Sequence, residues 1–238
     1  MNYPHTNRLD QTLLKQNIMG PNPAKLLEEL MEHYPLPQGQ VVMDLGCGQG
    51  GTSIMLVKEY QLTVFAVDLW ISAGENWQRF EQQGLTNRQI VPIHEDAHTL
   101  PFAEGFFDAV VSIDAYHYFG LDREYLGKHL LPLVTSGGWL LFVVPGFHKD
   151  VHDNLPRELL LSWSAEDLET IHDADYWRGV LEETEGIEIV SIQEMESNEE
   201  CLQDWLATDN EYAVMDRVPM NAGAGKYMNF ISIALRKK

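Results

Sequence analysis

Apolar residues recur along this chain with two alternating periods. Short runs rich in β-branched residues fall at 41–43, 63–67, 89–93, 109–113 and 139–144, each the length of a buried strand. Between them the spacing opens to the helical repeat over 52–60, over 75–83 up to Gly84, and over 123–131, where Pro132 stops it. Another helix precedes the first strand. Asn22-Pro23 supply its cap and first residue, Leu26, Leu27, Leu30, Met31 and Tyr34 line one face, and Pro35 ends it. Further upstream, Leu9, Leu13, Leu14 and Ile18 read either as a short helix over a ligand cleft or as a poorly ordered terminus. This alternation predicts an α/β protein with a doubly wound, mostly parallel sheet, which binds ligands at the carboxyl ends of its strands.

The last third changes rhythm. Residues 146–174 hold no strand pattern and predict an inserted cover, helical over 156–161 and over part of 164–172. A helix over 176–185 and strands over 187–192 and 227–235 complete the chain. Roughly 34 residues separate those two strands, too many for a hairpin, which predicts a second cover element. The whole of 1–238 is expected to form one domain: a helical cover at 1–38, a cofactor-binding core at 39–145, the inserted cover, and 175–238 with the C-terminal helix and last strands.

Candidate chemistry concentrates at 40–51, QVVMDLGCGQGG. A strand runs into Gly46, Gly48, Gly50 and Gly51, and Thr52-Ser53-Ile54 can open a helix. Glycine suits a turn that needs backbone angles a Cβ forbids and a main chain that a ligand approaches closely. The spacing satisfies G-x-G-x-x-G, so a dinucleotide such as NAD is one reading. Asp44, just before the glycines, argues against it, because a carboxylate there repels a pyrophosphate at the helix N-terminus. It suits a ligand with an ammonium and a sulfonium, such as S-adenosylmethionine.

DLGCGQG resembles the first motif of the class I S-adenosylmethionine-dependent methyltransferases, an acidic residue followed by L/V-G-x-G-x-G. The resemblance covers about 20–145 and implies a Rossmann-like, seven-stranded sheet whose last strand is antiparallel. It also implies that Gly46, Cys47 and Gly48 pass under the methionyl part of the cofactor while Asp44 helps to hold its amino group. Asp68 ends the second strand where the family has an acidic residue for the ribose hydroxyls, and Leu69 and Trp70 follow, placed to lie against the adenine. Asp68 alone does not separate S-adenosylmethionine from NAD, since both carry a ribose. Asp96-Ala97 match the family's acidic-small pair that meets the adenine edge, and Leu100-Pro101-Phe102 its usual L-P-F segment.

The fourth strand and its loop, FDAVVSIDAYHYFG, match the fourth motif, where the chain passes the transferable methyl group. Ser112, Ile113 and Asp114 are expected at the cofactor edge, with Tyr116, His117 and Tyr118 toward the acceptor. Tyr116 and His117 are the candidate catalytic residues, His117 as general base. The competing reading is that both are simply packed.

Charge and cysteine usage narrow the partners. There are 16 Lys+Arg against 36 Asp+Glu, a formal net charge of −20, which disfavours nucleic acids and anionic membranes. The NPPY-type segment of amino-methylating nucleic-acid enzymes is absent from the fourth motif, so a small-molecule methyl acceptor is expected. Cys47 and Cys201 stand alone, without CxxC spacing, and fit a reducing compartment. The first residues show no signal-peptide core and no apolar run approaches the roughly 20 residues that span a bilayer, so a cytoplasmic protein is expected.

No metal is expected. Some small-molecule methyltransferases hold magnesium through a carboxylate after the fourth strand and an Asp-Asn pair after the fifth. Asp114 offers the first, but 143–147 offers no further oxygen ligand. His148 and His152 stand i, i+4 without HExxH or a clear third ligand. The chain therefore reads as a small-molecule methyltransferase that keeps its site dry under its covers, with Trp163 and Tyr176 as candidate wall residues. A non-catalytic S-adenosylmethionine-binding protein and, more distantly, an NAD-dependent oxidoreductase are the alternatives.

Overall fold

The β-branched runs pair side by side in a computed structural model that describes residues 2–238. β1 (Val41–Leu45), β2 (Thr63–Asp68), β3 (Ile90–His94), β4 (Phe107–Ile113) and β5 (Val134–Phe147) are parallel; β6 (Ile187–Glu194) and β7 (Met228–Lys237) follow. The sheet order is β3-β2-β1-β4-β5-β7-β6, and β7 runs antiparallel to both of its neighbours. The order reverses between β1 and β4, which opens a crevice at their carboxyl ends.

Strand alternation sends side chains to two cores. Val42 joins the layer under α2 (Pro23–His33), α3 (Gly51–Lys58) and α4 (Ala73–Gln82), with Leu27, Ile54 and Phe80. Met43 and Leu45 join the opposite layer with Tyr116, Tyr125 and Trp177, the last on α6 (Ala174–Leu181). A smaller cluster of Phe147, Leu159, Leu168, Ala224 and Met228 sits beyond the end of β5.

The N-terminal piece resolves its two readings in favour of a helix, α1 (Gln11–Asn17), capped by the Asp10 carboxylate. Two consecutive buried carboxylates on α2 organise the covers. Glu28 accepts from His5 N (2.8 Å), Thr6 N (2.7 Å) and Thr6 Oγ1 (2.6 Å), and Glu29 accepts from Glu196 N (2.8 Å) and Ser197 N (2.9 Å). Carboxylates so bonded are charge-assisted clasps, roughly 1.5–3 kcal/mol per bond when buried. The second of them holds the segment between β6 and β7, which forms α7 (Asn198–Leu206) and α8 (Glu211–Asn221).

Three elements differ from the sequence pattern. The helix expected over 123–131 is a π-type turn, Leu126–Leu130, followed by a 3-10 turn, Leu131–Leu133. Gly127 weakens it from within and Pro132 withholds an N–H. β5 runs well past 139–144 at both ends, from its pairing with Phe107 at Val134 to that with Met228 at Phe147. The cover at 146–174 is mostly 3-10 turns, His152–Asn154 and Leu159–Leu161, with one short helix, α5 (Ala165–Leu168).

Candidate active site

The turn from β1 to α3 shapes the crevice. Gly46 (φ 73°) and Gly50 (φ 79°) take left-handed angles, and a Cβ at either would collide, with the Ala115 methyl or the Phe80 ring. Above this turn lies a cavity of about 660 Å³, within the roughly 300–1,000 Å³ of small-molecule sites. Its floor comes from the glycine turn and the ends of β2, β3 and β4. Its far wall comes from α1 and residues 18–25, with Asp204, Ala207 and Thr208.

Asp44 lies behind the glycine turn, 1% exposed, rather than on the cavity wall. Its Oδ2 accepts from Thr52 Oγ1 (2.7 Å) and Ser53 Oγ (2.5 Å) in the first turn of α3, while Oδ1 has no hydrogen-bond partner among the described residues. Burial pushes this carboxyl up to about 6 against the opposing effect of the two hydroxyls. Asp68 does reach the cavity. Its Oδ2 accepts from Gly48 N (2.7 Å), and its Oδ1 from Trp70 N and Ile71 N (2.8 Å each). The carboxylate thus ties the glycine turn to the turn after β2, and Oδ2 keeps a lone pair for a ligand hydroxyl.

Gly46, Cys47, Gly48, Leu69, Asp96 and Ala97 also line the cavity. Asp96 binds His98 through its backbone N and Nδ1 (2.8 Å each), which holds its carboxyl below the usual range. Trp70 and Tyr118 meet edge to face at the rim, centroids 5.4 Å apart. The two tyrosine and histidine candidates, with Ser112, are elsewhere. Ser112 is fully buried within β4. Tyr116 is fully buried and stacked on Phe142 at 4.0 Å, and His117 is 4% exposed, pushed down to about 3 by burial. None of the three lines the cavity. The base expected at His117 therefore sits off the cavity, with burial favouring its neutral form.

Asp114, by contrast, reaches the cavity. Its backbone is left-handed, φ 58°, an angle Asp tolerates better than most residues, and its N–H donates to Val143 O (2.8 Å). The side chain lines the main cavity and also a smaller one of about 160 Å³ beyond it. Part of its surface remains open to the cavity, yet the surrounding walls desolvate it and push the carboxyl up to about 7.

Several contributors carry no local sequence signal. Buried Asn76 on α4 donates to Gly48 O (2.9 Å) and accepts from Arg79 Nη1 (3.1 Å), and Arg79 Nε reaches Asn17 Oδ1 on α1 (3.1 Å). This chain of bonds joins glycine turn to N-terminal cover. Lys25 pairs with Asp204 (2.8 Å), closing the wall between the two covers. The inserted cover is displaced from its expected place. Trp163 faces the smaller cavity and donates to Asp216 (2.9 Å), while Tyr176 stacks on His172, so neither walls the main cavity.

Residues 42–138 match the family model described as a methyltransferase domain. Over that stretch the chain is similar to methyltransferase domains. A 2-methyl-6-phytyl-1,4-hydroquinone methyltransferase of Synechocystis is 30% identical over 138 residues, 54% of this chain and 42% of that protein. The chain therefore spans about two fifths of the length of that curated relative. Among solved structures, the geranyl diphosphate C-methyltransferase of Streptomyces coelicolor A3(2), crystallised with Mg2+, geranyl diphosphate and S-adenosyl-L-homocysteine, superposes with a TM-score of 0.71. It is 16% identical, over 91% of this chain and 80% of that one. The [4+2]-cyclase SpnF superposes at 0.67, 17% identical, over 90% of this chain and 80% of its own. The methyltransferase fold is thus shared with an enzyme named for a different reaction. Among the described residues, no helix is long and apolar enough to cross a membrane.

Proposed function

We propose that this chain transfers a methyl group from S-adenosylmethionine to a small molecule bound between the glycine turn and the two covers. The observation that carries the reading is the sign of the charge around that turn. Asp44 fills the N-terminus of α3, where a pyrophosphate would have to sit, and Asp68, Glu95, Asp96 and Asp114 line the adjoining cavity. Such a surround repels a dinucleotide and attracts a cationic ligand. The unpartnered Oδ1 of Asp44 fits a ligand ammonium reached through water.

When bound, the cofactor supplies a methyl group on a positively charged sulfur. The chain's own contribution is placement and exclusion of water. Asp68 Oδ2 offers a lone pair to a ribose hydroxyl, Asp96 and Ala97 flank the adenine, and α1 with residues 18–25 closes the wall. Asp114 would take the proton that the acceptor sheds as the acceptor's lone pair forms the new bond to the methyl carbon, and the pair of the broken carbon–sulfur bond would stay on sulfur. An acid poised near neutrality is matched to that task.

Calorimetry with S-adenosylmethionine, S-adenosylhomocysteine and NAD tests the cofactor. Tight NAD binding without the others would refute the reading. Incubating the protein and methyl-labelled cofactor with a mixture of small metabolites tests transfer, and labelled product identifies the acceptor.

A further inference from the structure

Beyond the end of β5, and off the wall of the main cavity, three side chains converge. Asp150, His152 and His172 each offer one ligand atom, and these atoms lie within 4.8 Å of one another. Asp150 Oδ1 is 2.6 Å from His152 Nδ1, and Oδ2 is 2.7 Å from His172 Nδ1. The opposite edge of His152 is already committed, with Nε2 at 3.0 Å from the Leu168 carbonyl.

A carbonyl only accepts, so Nε2 of His152 carries a hydrogen. In the neutral ring this leaves Nδ1 as a lone pair aimed at a carboxylate oxygen. Two acceptors at that distance repel unless positive charge lies between them. A proton could provide it for one histidine. Two imidazoles converge here, however, with ring centroids 4.6 Å apart, and His172 is wedged flat against Tyr176 at 3.5 Å. A neutral His172 donates its Nδ1–H to Oδ2 without added charge, so the demand for a cation comes from the His152 contact, and the convergence of both rings on one carboxylate supplies the further ligand atoms. One divalent cation meets all three ligand atoms together.

We propose that Asp150, His152 and His172 bind a zinc-type divalent transition-metal ion through one carboxylate oxygen and the two Nδ1 atoms. Imidazole nitrogen with carboxylate oxygen is a donor set that zinc accepts. The Leu168 carbonyl, holding Nε2–H of His152, is the outer partner that fixes a ligating histidine's tautomer. Backbone bonds pre-set the carboxylate: Asp150 N donates to Asp173 Oδ2 and His152 N to Asp150 Oδ1 (2.9 Å each).

The place gives the ion a purpose. His172 O accepts from Phe147 N (3.2 Å), and His172 bridges to Gly146 on β5. Leu168 and Ile171, between the ligands, wall the smaller cavity that Asp114 also lines. Bound metal braces the inserted cover against β5 and so fixes that wall. This is a structural brace, independent of the methyl-transfer reading.

The test uses the full chain without a polyhistidine tag, stripped with chelator and reloaded with zinc. Elemental analysis should find one equivalent, and calorimetric scanning should show a higher Tm in the zinc-loaded protein. Asp150→Asn, His152→Gln and His172→Gln should each weaken zinc binding by more than about 100-fold, beyond what losing an outer-shell partner costs. His148→Gln, whose ring pairs instead with Glu194, should leave it unchanged. Should a ligand variant fail to fold, cobalt(II)-loaded wild type reads the donor set directly, through d–d bands without a thiolate charge-transfer band. Absence of binding to wild type, a thiolate band from Cys47 or Cys201, or an equivalent retained by the triple variant would each overturn the assignment.

Discussion

Replacing Asp114 by Asn removes a charge and keeps the shape, so it isolates what desolvation does at the end of β4. An unfolded Asp loses its proton near 3.8, whereas in the native protein burial delays this to about 7. Between those values the native state holds the extra proton, so stability falls as pH rises through the window and levels off above it. The full gap corresponds to roughly 4 kcal/mol, of which about 2–3 kcal/mol falls between pH 5 and pH 8. Contact with cavity water screens part of this, leaving about 1–2 kcal/mol as the expected reading. Urea denaturation of wild type and Asp114→Asn at the two pH values measures it without any knowledge of the acceptor. The variant's advantage over wild type should grow by that amount toward pH 8. The similarly raised Asp44 is common to both proteins and cancels. A stability difference that does not change with pH would refute the desolvation argument, and with it the role of Asp114 as a base poised near neutrality. Once an acceptor is in hand, wild-type turnover should rise about tenfold from pH 6 to pH 8 as the carboxylate ionises, and the variant should lose about 100-fold or more together with that pH dependence.

Three further outcomes follow from the same geometry. Asp68→Ala should weaken S-adenosylmethionine binding by about 1.5–3 kcal/mol in calorimetry, and an unchanged Kd would remove the ribose assignment. His117→Gln should leave the pH–rate profile unmoved, because the native ring does not titrate near neutrality; a lost or displaced profile would return His117 to the mechanism. Gly46→Ala combines a left-handed backbone with a collision against Ala115 and should cost more than about 1 kcal/mol in denaturant unfolding, whereas wild-type stability would show that the turn relaxes freely.

The places of the glycine turn, Asp68 and the Asp96-Ala97 pair on the cavity were legible because they follow from a few contiguous residues at strand ends. The same holds for the sheet, whose strands announce themselves by β-branched runs. The fourth motif was legible only in outline. Asp114, Tyr116 and His117 lie within four positions of one another, and the one that faces the cavity is chosen by a left-handed backbone at Asp114 that no composition reveals. Tyr116 stacks on Phe142 and His117 is buried beside it, whereas Tyr118 returns to the cavity rim. The inserted cover was misplaced for another reason. Apolar patterning says that a segment needs a partner, without saying which of two neighbouring cavities it closes. Long-range bonds decide that, such as the 167-residue link from Glu29 to Glu196.

The adjacent carboxylates of α2 carry an evolutionary consequence. Consecutive residues on a helix point about 100° apart, so Glu28 and Glu29 reach separate flanks of the molecule while sharing one rigid support. Apart from the Thr6 hydroxyl, what they grip is main-chain N–H, which nearly every sequence possesses. Either flank can therefore accumulate substitutions, or be exchanged for a foreign segment, and still be gripped in the same register. The glycine turn and its acidic surround lie outside that traffic. Selection for a new ligand can work on the two flanking segments of the chain while the glycine turn in its middle is inherited intact.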